Sequence, residues 1–328
     1  MRYIVLVFLT VVSIILVSGC TYLGSYNYNS NTPEGAGVII ESFQPDFAEV
    51  YSGEPVKFTM KVRNSGTFSA ENGFAEMLGL DQTWKAVNQE LVLNDELLPN
   101  EAECRYPMHA ISLLPPDQSA GIQGSDKICT WTYIAPSMRS GLFSHYSPRV
   151  RFFYDYKSYA IKTVTIVPSD ELKVLQTQGK TLPSETTEKS NSPVSIDITT
   201  ATPVRSFGYD MIFPIIIKIK NMGDGTICYD SQKCKTSLEG GPKWNTFQFK
   251  IILPDDMTLY GNSCEETMDL YVPRGAEQTI TCQIQASQPA RLTQKTISVS
   301  ADYGYFVDKV TDIRVSSVQM GDSGEGQE

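Results

Sequence analysis

Seven cysteines and two histidines are the residues of this chain best suited to chemistry. Thiols and imidazoles hold zinc when they recur at short spacing, and a thiolate beside an imidazole is a nucleophile. Neither arrangement is spelled out here. Cys228 and Cys234 stand in "CYDSQKC", without the Cys-x2-Cys knuckle of zinc sites and without a histidine nearby. His109 in "PMHAI" and His145 in "FSHYS" read as surface or loop residues. The chain has no Gly-x-Ser-x-Gly elbow, no glycine-rich phosphate loop and no His-Glu-x-x-His. No enzymatic activity, cofactor or metal is therefore expected. Acidic runs around Asp95, Asp224 and Asp255 supply the carboxylates that calcium uses, but solvated charged turns are their commoner role.

The elements that must carry these residues read as strands. The chain repeats one pattern at an offset of about 157 to 160 residues. "VIIESF" at Val38 has a counterpart in "VSIDIT" at Val194. "VKFTMKVRNSG" puts Val56, Phe58, Met60 and Val62 on one face of a strand, and "IIIKIKNMG" does the same with Ile215, Ile217 and Ile219. Both strands end in turns, Asn64-Ser65-Gly66 and Asn221-Met222-Gly223. From Trp84 to Cys104 the chain aligns without a gap with Trp244 to Cys264, matching Leu93 to Leu253 and Asp95 to Asp255. A proline turn and an alternating strand follow in each copy, "KICTWTYIA" and "TITCQIQA". Asp155-Tyr156 and Asp302-Tyr303 then read as the turns of closing hairpins.

The repeat prunes the cysteine pairings. Cys104 with Cys129 and Cys264 with Cys282 are the same disulfide made twice, and Cys228 with Cys234 pins a loop found only in the second copy. Bridges of this kind belong to an oxidising compartment. Among the aromatics, Trp84, Trp131 and Trp244 read as core residues, with sugar stacking as the competing role if they are exposed. Tyr154, Tyr156, Tyr159, Tyr303 and Tyr305 offer a contact surface if they project from hairpin tips, and cap the core if they face inward.

The formal charge of −10 comes with lysines and arginines that are scattered rather than banded, which argues against nucleic acid as a partner. With 41% hydrophobic residues the body can bury a core. The reading is all-β: two tandem immunoglobulin-like β-sandwich domains, at residues 38–168 and 194–316, joined by a linker at 169–193. A polar, acidic tail at 317–328 closes the chain.

Ahead of these, "MRY" and an apolar run from Ile4 to Val17 have the form of an export signal over residues 1–19, too short to span a bilayer comfortably. "VSGC" resembles the lipobox of prokaryotic lipoproteins, which implies cleavage before Cys20 and a lipid on its thiol. An uncleaved membrane anchor is the competing reading, and both put the remainder outside the cytoplasmic membrane. Residues 20–37 then read as a flexible tether.

With that signal, the paired "KVRNSG" and "KIKNMG" strand ends and the proline turns resemble the CARDB-like and related immunoglobulin-type modules of archaeal and bacterial surface proteins, over about residues 36 to 316. The resemblance implies non-catalytic work at the cell surface: adhesion, spacing or assembly with envelope proteins. A carbohydrate- or peptide-binding surface lipoprotein, or an accessory subunit of an envelope complex, is the alternative.

Overall fold

The computed structural model describes residues 35–87, 104, 110–206, 210–234 and 243–317. The export signal, Cys20, most of the tether, Asp95, His109 and the acidic tail beyond Ser317 lie outside the described residues. The first copy contributes β1 (Val38–Pro45), β2 (Glu49–Tyr51), β3 (Pro55–Asn64), β4 (Ala70–Leu78), β5 (Lys85–Ala86), β6 (Ile111–Leu113), β7 (Asp126–Ile134), β8 (Phe143–Tyr146) and β9 (Arg149–Pro168). Helix α1 (Ser169–Thr177) and β10 (Thr187–Lys189) follow. The second copy runs through β11 (Val194–Thr200), β12 (Val204–Ser206), β13 (Asp210–Asn221), β14 (Thr226–Cys228), β15 (Thr246–Ile252) and β16 (Met257–Tyr260). It ends with β17 (Thr267–Tyr271), β18 (Glu277–Ser287), β19 (Thr293–Val310) and β20 (Ile313–Ser316).

Period-two patterning builds the outer sheets. Val56, Phe58, Met60 and Val62 of β3 are fully buried, as are Ile215, Ile217 and Ile219 of β13. Each strand sits inside a four-stranded sheet of the same order, β1-β3-β7-β5 in the first copy and β11-β13-β18-β16 in the second. Facing both runs one larger sheet, β17-β15-β19-β9-β4-β6, to which each copy contributes half. The halves meet at β9 and β19, which pair antiparallel from Arg149–Val310 to Ile166–Thr293. The apolar inner faces of these sheets merge into one core that includes residues of both copies, Phe58 and Phe152 as well as Ile217 and Phe247. The fold is thus all-β with packed sheets.

The long strands replace the expected hairpins. Asp155-Tyr156 and Asp302-Tyr303 lie in mid-strand, and no turn forms at either. The aspartate that suggests a turn is satisfied sideways instead: Asn72 Nδ2 donates to Asp155 Oδ2 at 2.7 Å and the Ser231 N–H to Oδ1 at 2.6 Å. With its carboxylate held on the outer face, the backbone stays extended and Tyr154 and Tyr156 both point inward.

A second difference concerns the alignment of the tryptophans. Trp84 precedes β5, at the edge of an outer sheet, whereas Trp244 precedes β15, which pairs with β19 inside the shared sheet. The counterpart of β15 is therefore β4, which pairs with β9. The two stretches are alike in composition but not in position.

Each copy also reaches into the other. Lys309, near the end of β19, donates to the Ile40 and Glu41 carbonyls at 3.0 and 2.8 Å. Beyond β9, Glu171 of α1 accepts from the Leu292 N–H at 2.6 Å. The segment between the copies is packed down as well. Strand β10 pairs with β9, and Glu185 accepts from the Thr165 N–H at 2.9 Å while lying 3.4 Å from Lys162. Among the described residues no helix is long and apolar enough to cross a membrane.

Candidate functional site

The tyrosines singled out in the sequence meet at the centre of the shared sheet. Across the β9–β19 register Tyr154 faces Tyr305 and Tyr156 faces Tyr303, with Asp155 and Gly304 between them. Ring centroids are 5.7 Å apart for Tyr154 and Tyr156, 5.8 Å for Tyr154 and Tyr305, and 6.3 Å for Tyr303 and Tyr305. All four are at most 2% exposed. They therefore present no contact surface, and the role of capping the core is the one the structure gives them. Tyr159 is the exception: half-buried, it donates to Glu188 Oε1 at 2.8 Å.

Burial deprives a phenolate of water, so all four hydroxyls are held well above the ordinary tyrosine range. As neutral groups they work as hydrogen-bonding hubs, in matched pairs. Tyr154 accepts from the Val38 N–H at 3.1 Å, and Tyr303 from the Val194 N–H at 3.3 Å, each tying the first strand of its copy to the spine. Tyr156 donates to Asn64 Oδ1 at 3.3 Å, and Tyr305 to Asn221 Oδ1 at 2.9 Å. The repeated motif is thus Tyr-x-Tyr closing on the Asn-x-Gly turn. The turn glycines follow from it, because a Cβ on Gly66 or Gly223 would strike the hydroxyl of Tyr156 or Tyr305.

The six described cysteines pair as expected. Cα separations are 5.9 Å for Cys104–Cys129, 5.3 Å for Cys228–Cys234 and 5.5 Å for Cys264–Cys282. Three such bridges point to an oxidising, extracytoplasmic environment. The two long-loop bridges are not in identical register. Cys129 lies opposite Met60, four residues before Asn64, whereas Cys282 lies opposite Ile215, six before Asn221. A shift of two keeps both thiols on the core face. The bridge peculiar to the second copy covers the outer face of the spine. There the ring of Trp244 lies 5.7 Å from Phe306 and donates from Nε1 to the Cys234 carbonyl at 2.9 Å. Arg151 crosses Phe306 at 4.0 Å and chelates Asp308 at 2.7 and 2.8 Å. Trp84 is buried edge-on to Tyr146 at 5.2 Å, and Trp131 is half-buried against the same core.

Of the acidic runs, Asp224 pairs with Arg274 at 3.1 Å and Asp256, beside Asp255, with Lys295 at 2.7 Å. Among the described residues no three His, Cys, Asp or Glu side chains gather as a metal site.

The surface offers a concave feature that sequence reading missed. Strands β2, β20 and β8 form a small sheet at the end of the first copy, with β20 supplied by the second. Val50, Ile313 and Val315 are at most 2% exposed and hold its inner face to the core. By alternation the opposite face is open, in two rows: Glu49, Arg314 and His145, then Tyr51, Ser316 and Phe143. All of these but His145, with Gly141, Leu142 and Glu54, line a cleft of about 510 Å3.

Its electrostatics are specific. The Arg314 guanidinium lies 4.2 Å from the Phe143 ring centre and 3.5 Å from Glu49, which also accepts from Ser316 Oγ at 2.8 Å. Glu54 accepts from the Tyr51 N–H at 2.8 Å and turns its charge to the cleft rim. Tyr51 and Phe143 are 49% and 54% exposed, so the rims are aromatic and the lining is, on balance, anionic. The sequence signal was thin: three strands of three or four residues each, from distant parts of the chain. Compared with known proteins, the chain matches no family model and no curated protein.

Proposed function

We propose that this is a lipid-anchored protein of the cell surface, exported by residues 1–19, tethered through Cys20, and acting without catalysis by presenting two immunoglobulin-like, CARDB-like modules to other envelope proteins. The observation that carries the reading is the β9–β19 pairing. It joins the two copies into one body, where separate sandwiches on a linker would swing freely. A stiff body on a tether suits spacing or assembly, because a partner docking on it orders only the tether and its own contacts. The disulfides support export. Burial of the four central tyrosines and of Trp84 weighs against sugar stacking by those rings.

Crosslinking on intact cells, followed by identification of what co-purifies, tests the contact function. The expected result is recovery of a distinct envelope protein; recovery of lipid alone sinks it. Mass spectrometry of the mature amino terminus tests the anchor, with a diacylated Cys20 expected and an intact Met1 start, or a free Cys20 thiol, as the contrary result.

A further inference from the structure

By sequence order the first copy lies next to the tether and the second copy beyond it, as on a stalk. The fold brings the chain in elsewhere. Gly35, Ala36 and Gly37, which the sequence reads as the last of a flexible tether, are packed into the seam between the copies. The Gly37 carbonyl accepts from the Ser65 N–H at 2.8 Å in the turn of the first copy, while Gly35 lies against Met222 in the turn of the second. Ala36 is buried, with its carbonyl against Gly66. Both glycines of this strip are required. Gly35 has a φ of +84°, and a Cβ on Gly37 would strike Pro193 and the Tyr154 hydroxyl.

The linker arrives at the same place. Pro193 precedes β11 as Gly37 precedes β1, and its carbonyl accepts from the Met222 N–H at 2.8 Å, the counterpart of the Ser65 bond. Asn191 Oδ1 accepts from the Gly35 N–H at 2.9 Å, so the two lead-in strips hold each other at the tyrosine cluster. From this seam the copies run in opposite directions, because β9 and β19 pair antiparallel. Strand β3 leads from Asn64 at the seam out to Pro55, and β13 from Asn221 out to Asp210, lengths of about 30 and about 36 Å at about 3.3 Å per residue.

We propose that the tether carries this body by its middle, so that both far ends stand at one mean height above the bilayer and meet partners beside the protein rather than above it. The inference rests on the lipid anchor at Cys20 and names how the contact function is displayed. A body hung from one end holds its two ends at different mean heights, by up to roughly 65 Å. Hung from the middle, it tilts either way about one height. The second copy then gains no reach from the first, and the length of the body sets a lateral spacing instead.

The test uses the full-length lipidated protein in phospholipid vesicles with acceptor dyes on the lipid headgroups. Phe47→p-azidophenylalanine and Ala290→p-azidophenylalanine, one per sample, carry the donor dye. Both positions are exposed, Phe47 just past the outer end of β1 and Ala290 just past the outer end of β18. Equal energy transfer from the two is expected. Transfer several-fold lower from Ala290 is the signature of a stalk and overturns the proposal. Amide exchange in detergent tests the seam alone: the Gly35 and Val38 amides should exchange as slowly as the strands around them, and exchange at the unfolded-chain rate at both overturns the docking of the strip.

Irradiated on intact cells, both azides should capture protein of the same membrane, and capture at Ala290 alone overturns the proposal. The two readings stay separable. Unequal transfer with a diacylated Cys20 overturns suspension by the middle and leaves the anchor standing. Equal transfer without capture at either end upholds the suspension and sinks the contact function. A chain that washes off the vesicles with a free Cys20 thiol removes the anchor, and this inference with it.

Discussion

In the first copy Asn64 donates to the Phe68 and Leu113 carbonyls at 2.7 and 2.8 Å and accepts from the Gly66 N–H at 3.1 Å, while its bond from Tyr156 is the long one at 3.3 Å. In the second copy the weight moves. Asn221 donates to the Gly225 carbonyl at 3.2 Å, and it is Tyr305 that closes the turn, donating to Asn221 and accepting from the Gly225 N–H, both at 2.9 Å. The same two residue types thus latch the same turn to the same spine, with the asparagine as hub in one copy and the tyrosine in the other. The duplicated part is a buried polar network, which tolerates redistribution of its bonds but not their loss. Exposed parts carry no such constraint. There the copies have diverged into a disulfide loop on one side and a charged cleft on the other.

The largest expected effect treats both latches as one unit. Each of the four tyrosines has its folded-state pKa raised above the unfolded value near 10. Below about pH 10 both states hold the proton and stability is intact. Above it the unfolded chain ionises while the folded chain does not, so stability falls as pH rises toward the folded values. The slope is about 1.4 kcal/mol per pH unit for each tyrosine, or about 5 kcal/mol per unit for four acting together. Urea midpoints between pH 9 and 11.5 measure it. A slope no greater than that of one tyrosine would break the idea of a single central unit.

Substitution of the asparagines separates the copies. Asn64→Ala leaves the buried Leu113 carbonyl, the half-buried Phe68 carbonyl and the buried Gly66 N–H without their partner and should cost about 4 kcal/mol, against about 2 kcal/mol for Asn221→Ala, both read by chemical denaturation. Equal costs would mean that the hubs do not differ. The long-loop disulfides, by contrast, should not distinguish the copies. Closing loops of 25 and 18 residues stabilises by nearly the same amount, about 3 kcal/mol each, so the Cys→Ser pair variants at Cys104–Cys129 and Cys264–Cys282 should have similar melting points. A gap of more than about 1 kcal/mol would point to native-state strain in one copy.

Much of this frame was readable from residue order, for a physical reason. Strands β3, β13 and β18 bury one face each, and burial writes itself as alternation. Two of the cysteine pairs followed from the repeat, because Cys129 and Cys282 sit on β7 and β18, the third strand in the order of each outer sheet. What failed was long-range. Asp155-Tyr156 has turn chemistry, and nothing local reveals that Asn72 and Ser231 will hold the carboxylate and keep the strand straight. Trp84 and Trp244 head similar runs of residues, yet tertiary pairing sends one to an outer edge and the other to the shared sheet. The cleft is the extreme case. Its rows cross three strands from residues 49–51, 143–146 and 313–316, each too short to show a period.

The smallest effect is the sharpest test of the comparison, because it should invert the asparagine order. Tyr→Phe keeps the ring and its packing and removes only the hydroxyl, so the cost is that of the hydrogen bonds it makes. At Tyr305 those bonds are short, to Asn221 and from Gly225, and the phenylalanine leaves a buried N–H without its acceptor; about 1.5 kcal/mol should be lost. At Tyr156 the bonds to Asn64 and from the half-buried Phe68 are 3.3 and 3.2 Å, and Asn64 Oδ1 still accepts from Gly66; about 0.5 kcal/mol should be lost. The asparagine of copy one and the tyrosine of copy two should therefore be the two sensitive members, a crossed pattern. General differences in stability between the copies would make both variants of one copy worse. Only a redistribution of bonds within each latch makes them cross, and a double-mutant cycle at each latch isolates the pairwise part, larger at Asn221–Tyr305 than at Asn64–Tyr156.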